Sequence, residues 1–97
     1  MITIGSHNVY PEEIENLILQ AFEVKDCIII SMKDDVHGKK MIFFYVSVTD
    51  ISHYIKNFCM TNFPPYEVPS TFIRIDNMPV NDNGKKIRDL SKYICYL

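Results

Sequence analysis

In two parts of the chain, apolar side chains recur at every third or fourth position, the spacing that places them along one face of an α-helix. The first helix is predicted to begin at Pro11, because a proline at the first helical position loses no hydrogen bond. Glu12 and Glu13 then lie in its first turn, where the helix dipole favours negative charge. Its predicted inner face consists of Ile14, Leu17, Ile18, Ala21 and Phe22.

A second segment with the same spacing follows Thr49 and Asp50, either of which can cap a helix. Pro64 and Pro65 end it, since proline cannot continue an α-helix. Its predicted inner face consists of Ile51, Tyr54, Ile55, Phe58 and Cys59. Both segments therefore predict amphipathic helices that cover another layer of the fold.

Runs of consecutive apolar and β-branched residues predict the strands. The two longest are Val24–Met32 and Met41–Val48, and the polar, glycine-containing segment Lys33–Lys40 between them predicts a hairpin. Because both runs are apolar at consecutive positions, both faces of the sheet are expected to be covered. Thr71–Asp76 predicts a third long strand, and Met1–Ile4 a short one.

The remaining segments predict two loops and a last helix. Gly5–Asn8 and Asn77–Lys86 are rich in residues that favour turns, and each predicts a loop. Ile87–Tyr96 is amphipathic and predicts a helix. Its inner side would consist of Ile87, Leu90 and Ile94. The order of elements predicts an α+β fold, a small three-stranded sheet packed with helices, formed by residues 1–97 as a single domain.

Composition and charge narrow the classes of function. The chain has 97 residues, of which 47% are hydrophobic, and this is enough for one modest core. Its formal net charge is −2, so the basic surface that nucleic-acid binding requires is not expected. No apolar run approaches the roughly 20 residues that span a bilayer, and the N-terminus does not resemble a signal peptide. The sequence predicts a cytoplasmic protein that binds neither nucleic acid nor membrane.

The cysteines and histidines indicate neither a disulfide framework nor a metal site. The cysteines are Cys27, Cys59 and Cys95. Their odd number and wide spacing favour reduced, mostly buried side chains. The histidines are His7, His37 and His53. They lie far apart without the spacing of metal ligands, so no metal site is predicted.

Three segments carry a recognisable pattern. They are Ile4–Glu15, which ends in Pro-x-Glu-Ile-Glu; Phe63–Pro69; and Ile75–Leu90, which contains Gly84–Lys85. Together and in this order, they resemble the C-terminal domain of the adenylate-forming superfamily, which includes acyl-CoA synthetases, aryl-CoA ligases, luciferases and the adenylation domains of non-ribosomal peptide synthetases. The resemblance covers nearly the whole chain. The chain departs from the family pattern at Asn81, at Asp82 and at Lys86, the last standing where an apolar residue is usual.

The resemblance implies that Lys85 acts in the first of two half-reactions, in which a carboxylate joins the α-phosphate of ATP and pyrophosphate leaves. Because two anions must meet, a cation near the reacting oxygens lowers the barrier, and lysine supplies a compact charge on a flexible stem. Asn83 and Gly84 would belong to the mobile loop that carries this lysine. The alternative is that Lys85 and Lys86 are solvated charges on a polar turn, and for Lys86 this is the expected state.

The resemblance also implies a second half-reaction, in which the acyl group passes to the thiol of coenzyme A or of a carrier-protein pantetheine. In the family, the C-terminal domain rotates between the two steps and presents a different face, here the loop of Gly5, Ser6, His7 and Asn8. Gly5 would let the backbone approach the pantetheine arm, and His7 is a candidate base. The alternative is an ordinary turn between a strand and a helix.

Two charged residues outside these loops are expected to form ion pairs. Glu15 is expected to bind across to another element of the fold, and Arg88 to pair with an acidic group at the domain surface. The sequence identifies neither partner.

No cofactor is predicted to bind to this domain alone. The complete enzyme implied by the resemblance uses ATP, Mg²⁺ and either coenzyme A or carrier-protein pantetheine. The family's large N-terminal adenylation domain is an expected partner, in cis or in trans, because these 97 residues contain none of its motifs. A carrier protein is a further candidate partner. The alternative function is that of a free-standing, non-catalytic interaction module that docks on a ligase domain or a carrier protein.

Overall fold

The computed structural model describes residues 2–4, 6–34 and 38–96. The elements, in chain order, are β1 (Ile2–Ile4), β2 (His7–Val9), α1 (Pro11–Ala21), β3 (Asp26–Asp34), β4 (Gly38–Val46), α2 (Ser52–Asn62) and β5 (Thr71–Ile75). Short 3₁₀ turns occupy Pro65–Glu67, Leu90–Lys92 and Ile94–Tyr96. The predicted α+β class and the three long strands are confirmed.

The main sheet has the strand order β3–β4–β5. Strands β3 and β4 pair antiparallel over their whole length, from Asp26 opposite Val46 to Asp34 opposite Gly38. Strand β5 pairs with β4 in parallel, which requires a crossover connection, and α2 lies in that connection. Strand β3 is therefore one edge of the sheet, with a row of backbone groups that β4 does not use.

The N-terminal residues form a small second ribbon in which β1 pairs antiparallel with β2, Ile2 opposite Val9 and Ile4 opposite His7. The sequence predicted a loop over Gly5–Asn8, and for His7 and Asn8 this prediction was wrong. Strand β2 forms because its pairing with β1 buries Val9 and Ile2 in the core. The sequence did not indicate this, because the residues before Val9 are polar. Gly5 lies outside the described residues.

The hydrophobic core occupies both faces of the sheet, as predicted. On one face, α1 and α2 pack Ile14, Ile18 and Ile55 against Phe43 and neighbouring strand residues. On the other face, side chains of the C-terminal segment pack against side chains of the strands. The buried members of this second cluster are Ile28, Ile30, Ile42, Phe44, Val46, Ile75 and Tyr93.

The helix faces differ in detail from the predicted ones. Leu17 is 45% exposed and Tyr54 65% exposed, so neither belongs to the inner face of its helix. In α1 the buried position is instead taken by Glu15, which is 3% exposed. At the start of α2, Ile51 occupies the capping position, but the Oδ1 atom of Asp50 accepts a hydrogen bond from the Ser52 N–H at 3.0 Å. None of the helices in the described ranges is long and apolar enough to cross a membrane.

The prediction of a last helix over Ile87–Tyr96 was wrong. Residues 87–89 lie in no helix, Asp89 is extended, and the chain then makes two single 3₁₀ turns. Tyr93, not the predicted Ile94, is the buried residue, and its hydroxyl donates a 2.7 Å hydrogen bond to the carbonyl of Ile87. Ile94 is 60% exposed. Contacts of the preceding charged side chains with β3, described below, hold the chain extended where a helix would have begun.

The three cysteines are free; two are buried and Cys95 is exposed. Burial raises the pKa of Cys27 to about 12 and that of Cys59 to about 11, so both remain protonated at neutral pH, whereas the reactive form of cysteine is the thiolate.

Brief treatment of the folded protein with N-ethylmaleimide is therefore expected to modify Cys95 only. Intact-mass measurement should show one adduct before and three after addition of denaturant; rapid modification of a second cysteine in the folded protein would contradict the described burial.

Candidate functional site

Lys85 lies at the end of a tight hairpin that follows β5. Val80 and Lys86 form an antiparallel bridge at its base, and the Gly84 N–H donates to the Asn81 carbonyl at 2.9 Å across its tip. Gly84 has a φ of +78°, and a Cβ at this position would meet no atom within 4 Å. The glycine is therefore needed for its left-handed backbone conformation rather than for space.

The side chain of Asn81 organises the tip of this hairpin. Its Oδ1 atom accepts hydrogen bonds from the backbone N–H groups of Asn83, at 2.9 Å, and Lys85, at 3.1 Å. The backbone N–H of Asn81 donates to the Lys85 carbonyl at 2.8 Å. The loop that carries the candidate lysine is thus a hydrogen-bonded turn, organised by a residue that departs from the family pattern.

The side chain of Lys85 is exposed. Within the part of the chain that the structure describes, it makes no ion pair and no hydrogen bond. Asn83 and Gly84, the other predicted loop residues, are exposed on the same turn. The hairpin therefore presents an ammonium group to the surroundings of the domain, which is what binding to an anion outside the domain requires.

The neighbouring Lys86 behaves differently, and the prediction that it is a solvated charge was wrong. Its Nζ atom donates a 2.7 Å hydrogen bond to the carbonyl of Cys27 on β3. The same atom lies 3.2 Å from the carboxylate of Asp26 and 3.7 Å from that of Glu15. These contacts bind the Lys86 side chain, which is 28% exposed, to the edge of the sheet.

Arg88 and Glu15, whose partners the sequence did not identify, form an ion pair with each other that is partly buried. The Nη1–Oε2 distance is 2.7 Å and the Nη2–Oε1 distance 3.1 Å, a two-point contact. The Glu15 side chain is 4% exposed and that of Arg88 34% exposed. The hydrogen bond to Glu15 raises the pKa of Arg88. The pair connects the C-terminal segment with α1.

The same two side chains also cover the free edge of β3. The Nη1 atom of Arg88 donates to the carbonyl of Ile29 at 2.9 Å, and the N–H of Ile29 donates to the Oε2 atom of Glu15 at 2.7 Å. Cys27 and Ile29 are the positions where an edge strand points its backbone groups away from its partner. Side chains from α1 and from the segment after the hairpin take the place of a further strand.

The second predicted site is the turn and strand at Ser6, His7 and Asn8, whose side chains are all exposed. The imidazole of His7 stacks on the ring of Tyr66, with centroids 3.9 Å apart and planes 7° from parallel. Tyr66 lies in the 3₁₀ turn of the Phe63–Pro69 segment, so two of the three sequence motifs meet here. The fourth predicted residue, Gly5, is outside the described ranges.

A groove of about 410 Å³ lies beside this hairpin. Its lining residues are Ile4, Lys39, Lys40, Met41, Pro65, Tyr66, Val68 and Ser70. The groove combines an apolar floor with two lysines, a combination that suits a ligand with both an apolar arm and an anionic group. This groove was not predictable from sequence, because its residues come from three distant segments.

The two predicted sites contact different ends of the β3–β4 ribbon. Lys86, next to Lys85, binds Cys27 near the start of β3, whereas the groove beside the N-terminal hairpin includes Met41, which pairs with Ser31. The separation of Cys27 and Ser31 along an extended strand is about 13 Å. In the part of the chain that the structure describes, the two predicted sites therefore lie against different parts of the β3–β4 ribbon.

Among the described residues, no three His, Cys, Asp or Glu side chains come together in a way that could hold a metal ion. The His53 ring lies 3.2 Å from the Asn57 side-chain amide and edge-on to Tyr54 on the exposed side of α2, and His37 lies outside the described ranges. Glu12, Glu15 and Asp26 instead pair with the two cations Lys86 and Arg88.

The chain matches known proteins over most of its length. The family profile described as AMP-binding enzyme C-terminal domain matches residues 13–85. The 2-succinylbenzoate–CoA ligase of Lactococcus lactis is 32% identical over 88 residues, which make up 91% of this chain and 19% of the ligase. Bacitracin synthase 3 of Bacillus licheniformis is 27% identical over 85 residues, 87% of this chain and 1% of the synthase.

The fold matches as well. The o-succinylbenzoate CoA synthetase of Bacillus subtilis, solved in complex with the acyl-adenylate intermediate OSB-AMP, has a TM-score of 0.81 and 26% identity over 92% of this chain and 19% of that chain. The chain spans about a fifth of the length of these two ligases and a far smaller share of the synthase. In such relatives, the domain is attached to a large N-terminal adenylation domain.

Proposed function

Since this chain belongs to the family of AMP-binding enzyme C-terminal domains, we propose that it is the lid of an ATP-dependent, acyl-adenylate-forming acid–thiol ligase. In this role Lys85 assists adenylation of the carboxylate, and the β1–β2 hairpin faces pantetheine during thioester formation. The observation that carries the proposal is the contrast between the two adjacent lysines. Lys86 is bound to the sheet, while Lys85 is exposed at the end of an ordered hairpin.

In the adenylation step, Lys85 would place its ammonium group beside the α-phosphate and the attacking carboxylate. Both groups are anionic, and negative charge concentrates on their oxygens as the new P–O bond forms. A cation held at this point stabilises the transition state more than the separated reactants. The hydrogen-bonded turn supports this role, because it holds the backbone of Lys85, so that only the side chain has to be ordered when the lid closes.

In the thioester step, the domain would present the other end of the β3–β4 ribbon. The exposed Ser6, His7 and Asn8 border the groove that contains Lys39 and Lys40. The backbone of the hairpin would lie along the pantetheine arm, and the two lysines would attract a phosphate group of coenzyme A or of the carrier-protein prosthetic group. The stacking of His7 on Tyr66 favours a role for His7 in shaping this surface over a role as a base.

The large N-terminal adenylation domain is the proposed partner, in cis or in trans, and a carrier protein is a candidate acceptor. ATP and the acyl group would bind mainly to that larger domain. The described residues contain no cluster of acids suited to Mg²⁺, so we assign Mg²⁺ to the larger domain too. We propose that residues 1–97 form one domain that contributes one lysine and one surface to a site built by another part of the enzyme.

The isolated chain is expected to show no ligase turnover, because in this proposal the ATP site and the acyl site belong to the large N-terminal domain. The measurement is release of AMP from ATP and Mg²⁺ in the presence of coenzyme A and a panel of carboxylates. A complete ligase of the family, assayed in parallel, is the positive control. Robust release of AMP by the purified 97-residue chain would refute the proposed division of labour.

A further inference from the structure

Resting on the proposed function of Lys85, we infer that Lys86 is a positioning residue that fixes the direction in which Lys85 points. Lys85 and Lys86 are consecutive residues at the base of the hairpin, where Lys86 forms an isolated antiparallel bridge with Val80. In extended chain, successive side chains leave the backbone on opposite sides. Because Lys86 is bound to the edge of β3, Lys85 must point away from the sheet.

The contacts of Lys86 and Arg88 set a register. Lys86 binds the carbonyl of Cys27, and Arg88 binds the carbonyl of Ile29. A step of two residues from 86 to 88 therefore corresponds to a step of two residues from 27 to 29 along β3. Side-chain hydrogen bonds, in place of backbone hydrogen bonds, hold the two segments together. A slip of one residue would turn Lys85 toward the sheet and Lys86 toward the solvent, as in any strand whose pairing shifts.

The charges around this contact explain why a lysine suits position 86. Its ammonium group is within 4 Å of both Asp26 and Glu15, and Arg88 pairs with the same Glu15. Arg88 also lies 3.6 Å from the exposed Glu12, so two cations meet three carboxylates at the edge of the sheet. An apolar side chain at position 86 could pack there, but it could not bind the carbonyl of Cys27. Lys86 therefore adds a hydrogen bond to β3 immediately beside the proposed catalytic residue.

The proposal is tested by Lys86→Met, which keeps the length of the side chain and removes its charge and its hydrogen bonds. The variant is assayed in the ligase formed by this chain with the large adenylation domain, and the two half-reactions are measured separately. The adenylation rate is expected to fall about tenfold, within the range known for misplacement of a catalytic group by about 1 Å. Acyl transfer from pre-formed acyl-adenylate to the thiol is expected to stay unchanged, because the N-terminal hairpin lies at the other end of the ribbon.

Asp26→Asn provides a second variant, outside the hairpin, that keeps an acceptor for the Cys27 N–H and weakens the hold on Lys86. This variant is also expected to lower the adenylation rate, but by a smaller factor than Lys86→Met. Thermal unfolding of both variants identifies any loss of folded protein, and the rates are compared per folded molecule. In the 97-residue chain itself, amide exchange of Lys85 and Asn83 is expected to be faster in Lys86→Met.

Lys85→Ala in the same ligase separates failure of this inference from failure of the proposed function. If Lys85→Ala lowers adenylation but Lys86→Met and Asp26→Asn do not, Lys86 has no positioning role while the proposed function stands. An equal fall in both half-reactions, per folded molecule, would also overturn the positioning role, since it would indicate a general loss of structure. If Lys85→Ala has no effect, the proposed function fails and the inference fails with it.

Discussion

Replacement of Lys85 by alanine is expected to slow adenylation by about 10²–10³-fold, the loss typical of removing one preorganised electrostatic contact from a transition state. The side chain is exposed and bonded to no other described residue, so its removal should leave the fold intact. The effect should therefore appear in the rate and not in the thermal stability. The measurement is carboxylate-dependent exchange of pyrophosphate into ATP by the ligase that contains this domain.

Lys92→Ala is the matched control, because Lys92 is another exposed lysine of the C-terminal segment and has no proposed role in catalysis. Its adenylation rate is expected to equal that of the unmodified enzyme. The alternative function, a non-catalytic docking module, predicts that Lys85→Ala also leaves the rate unchanged. Equal rates for the two variants would therefore favour docking over catalysis.

Arg88→Met is expected to lower the free energy of unfolding by about 3 kcal/mol, toward the lower end of the range for breaking a buried ion pair. The substitution leaves the Glu15 carboxylate, which is 4% exposed, without its strongest partner. It also removes the donor to the Ile29 carbonyl. The loss should not reach the top of the range, because Lys86 remains 3.7 Å from Glu15 and the edge is partly open to water.

The measurement is equilibrium unfolding in urea or guanidinium chloride. Arg74→Met is the control, because Arg74 donates only to the carbonyls of Ser47 and Val48 at the surface, and its loss is expected to lower stability by about 1 kcal/mol. The double variant Glu15→Met/Arg88→Met should recover part of the loss, since it leaves no buried charge unpaired. A loss for Arg88→Met no larger than for Arg74→Met would contradict the proposed energetic role of the pair.

The parts of the fold that were predictable from sequence are those that local pattern specifies. Pro11, the acidic first turn and the spacing of Ile14 and Ile18 are enough to place α1, and the consecutive apolar runs are enough to place β3 and β4. Segment boundaries were less certain, because strands extend wherever a partner continues. Strand β3 runs two residues past the predicted Met32, since Gly38, Lys39 and Lys40 on β4 remain opposite it.

The parts that were not predictable depend on partners far away in the chain. Lys86 and Arg88 each contact β3 across 59 residues of sequence, and these contacts keep extended a segment whose own pattern favours a helix. Glu15 was expected to bind across to another element, but its partner could not be named because Arg88 is 73 residues away. The available signal was a Glu next to the predicted apolar face of α1, with Arg88 in the last motif as its complement.

In the candidate site, too, the features set by local sequence were predictable and those set by distant segments were not. The motifs placed Lys85, Asn83 and Gly84 on one turn, and the structure describes that turn with all three exposed. The role of the Asn81 side chain was not visible, because it depends on backbone N–H groups that converge only after the hairpin has formed. The groove beside the N-terminal ribbon was also hidden, since it needs β1, β4 and the Phe63–Pro69 segment to come together.

The most direct test of the central claim is a single-turnover measurement of both half-reactions in the ligase that carries Lys85→Ala. One reaction starts from ATP and the carboxylate, and the other from pre-formed acyl-adenylate and the thiol acceptor. If this domain supplies Lys85 for adenylation and a different surface for thioester formation, the first reaction should become slow while the second keeps its rate. Equal rates for the variant and the unmodified enzyme in the first reaction, or an equal loss in both reactions, would contradict that account.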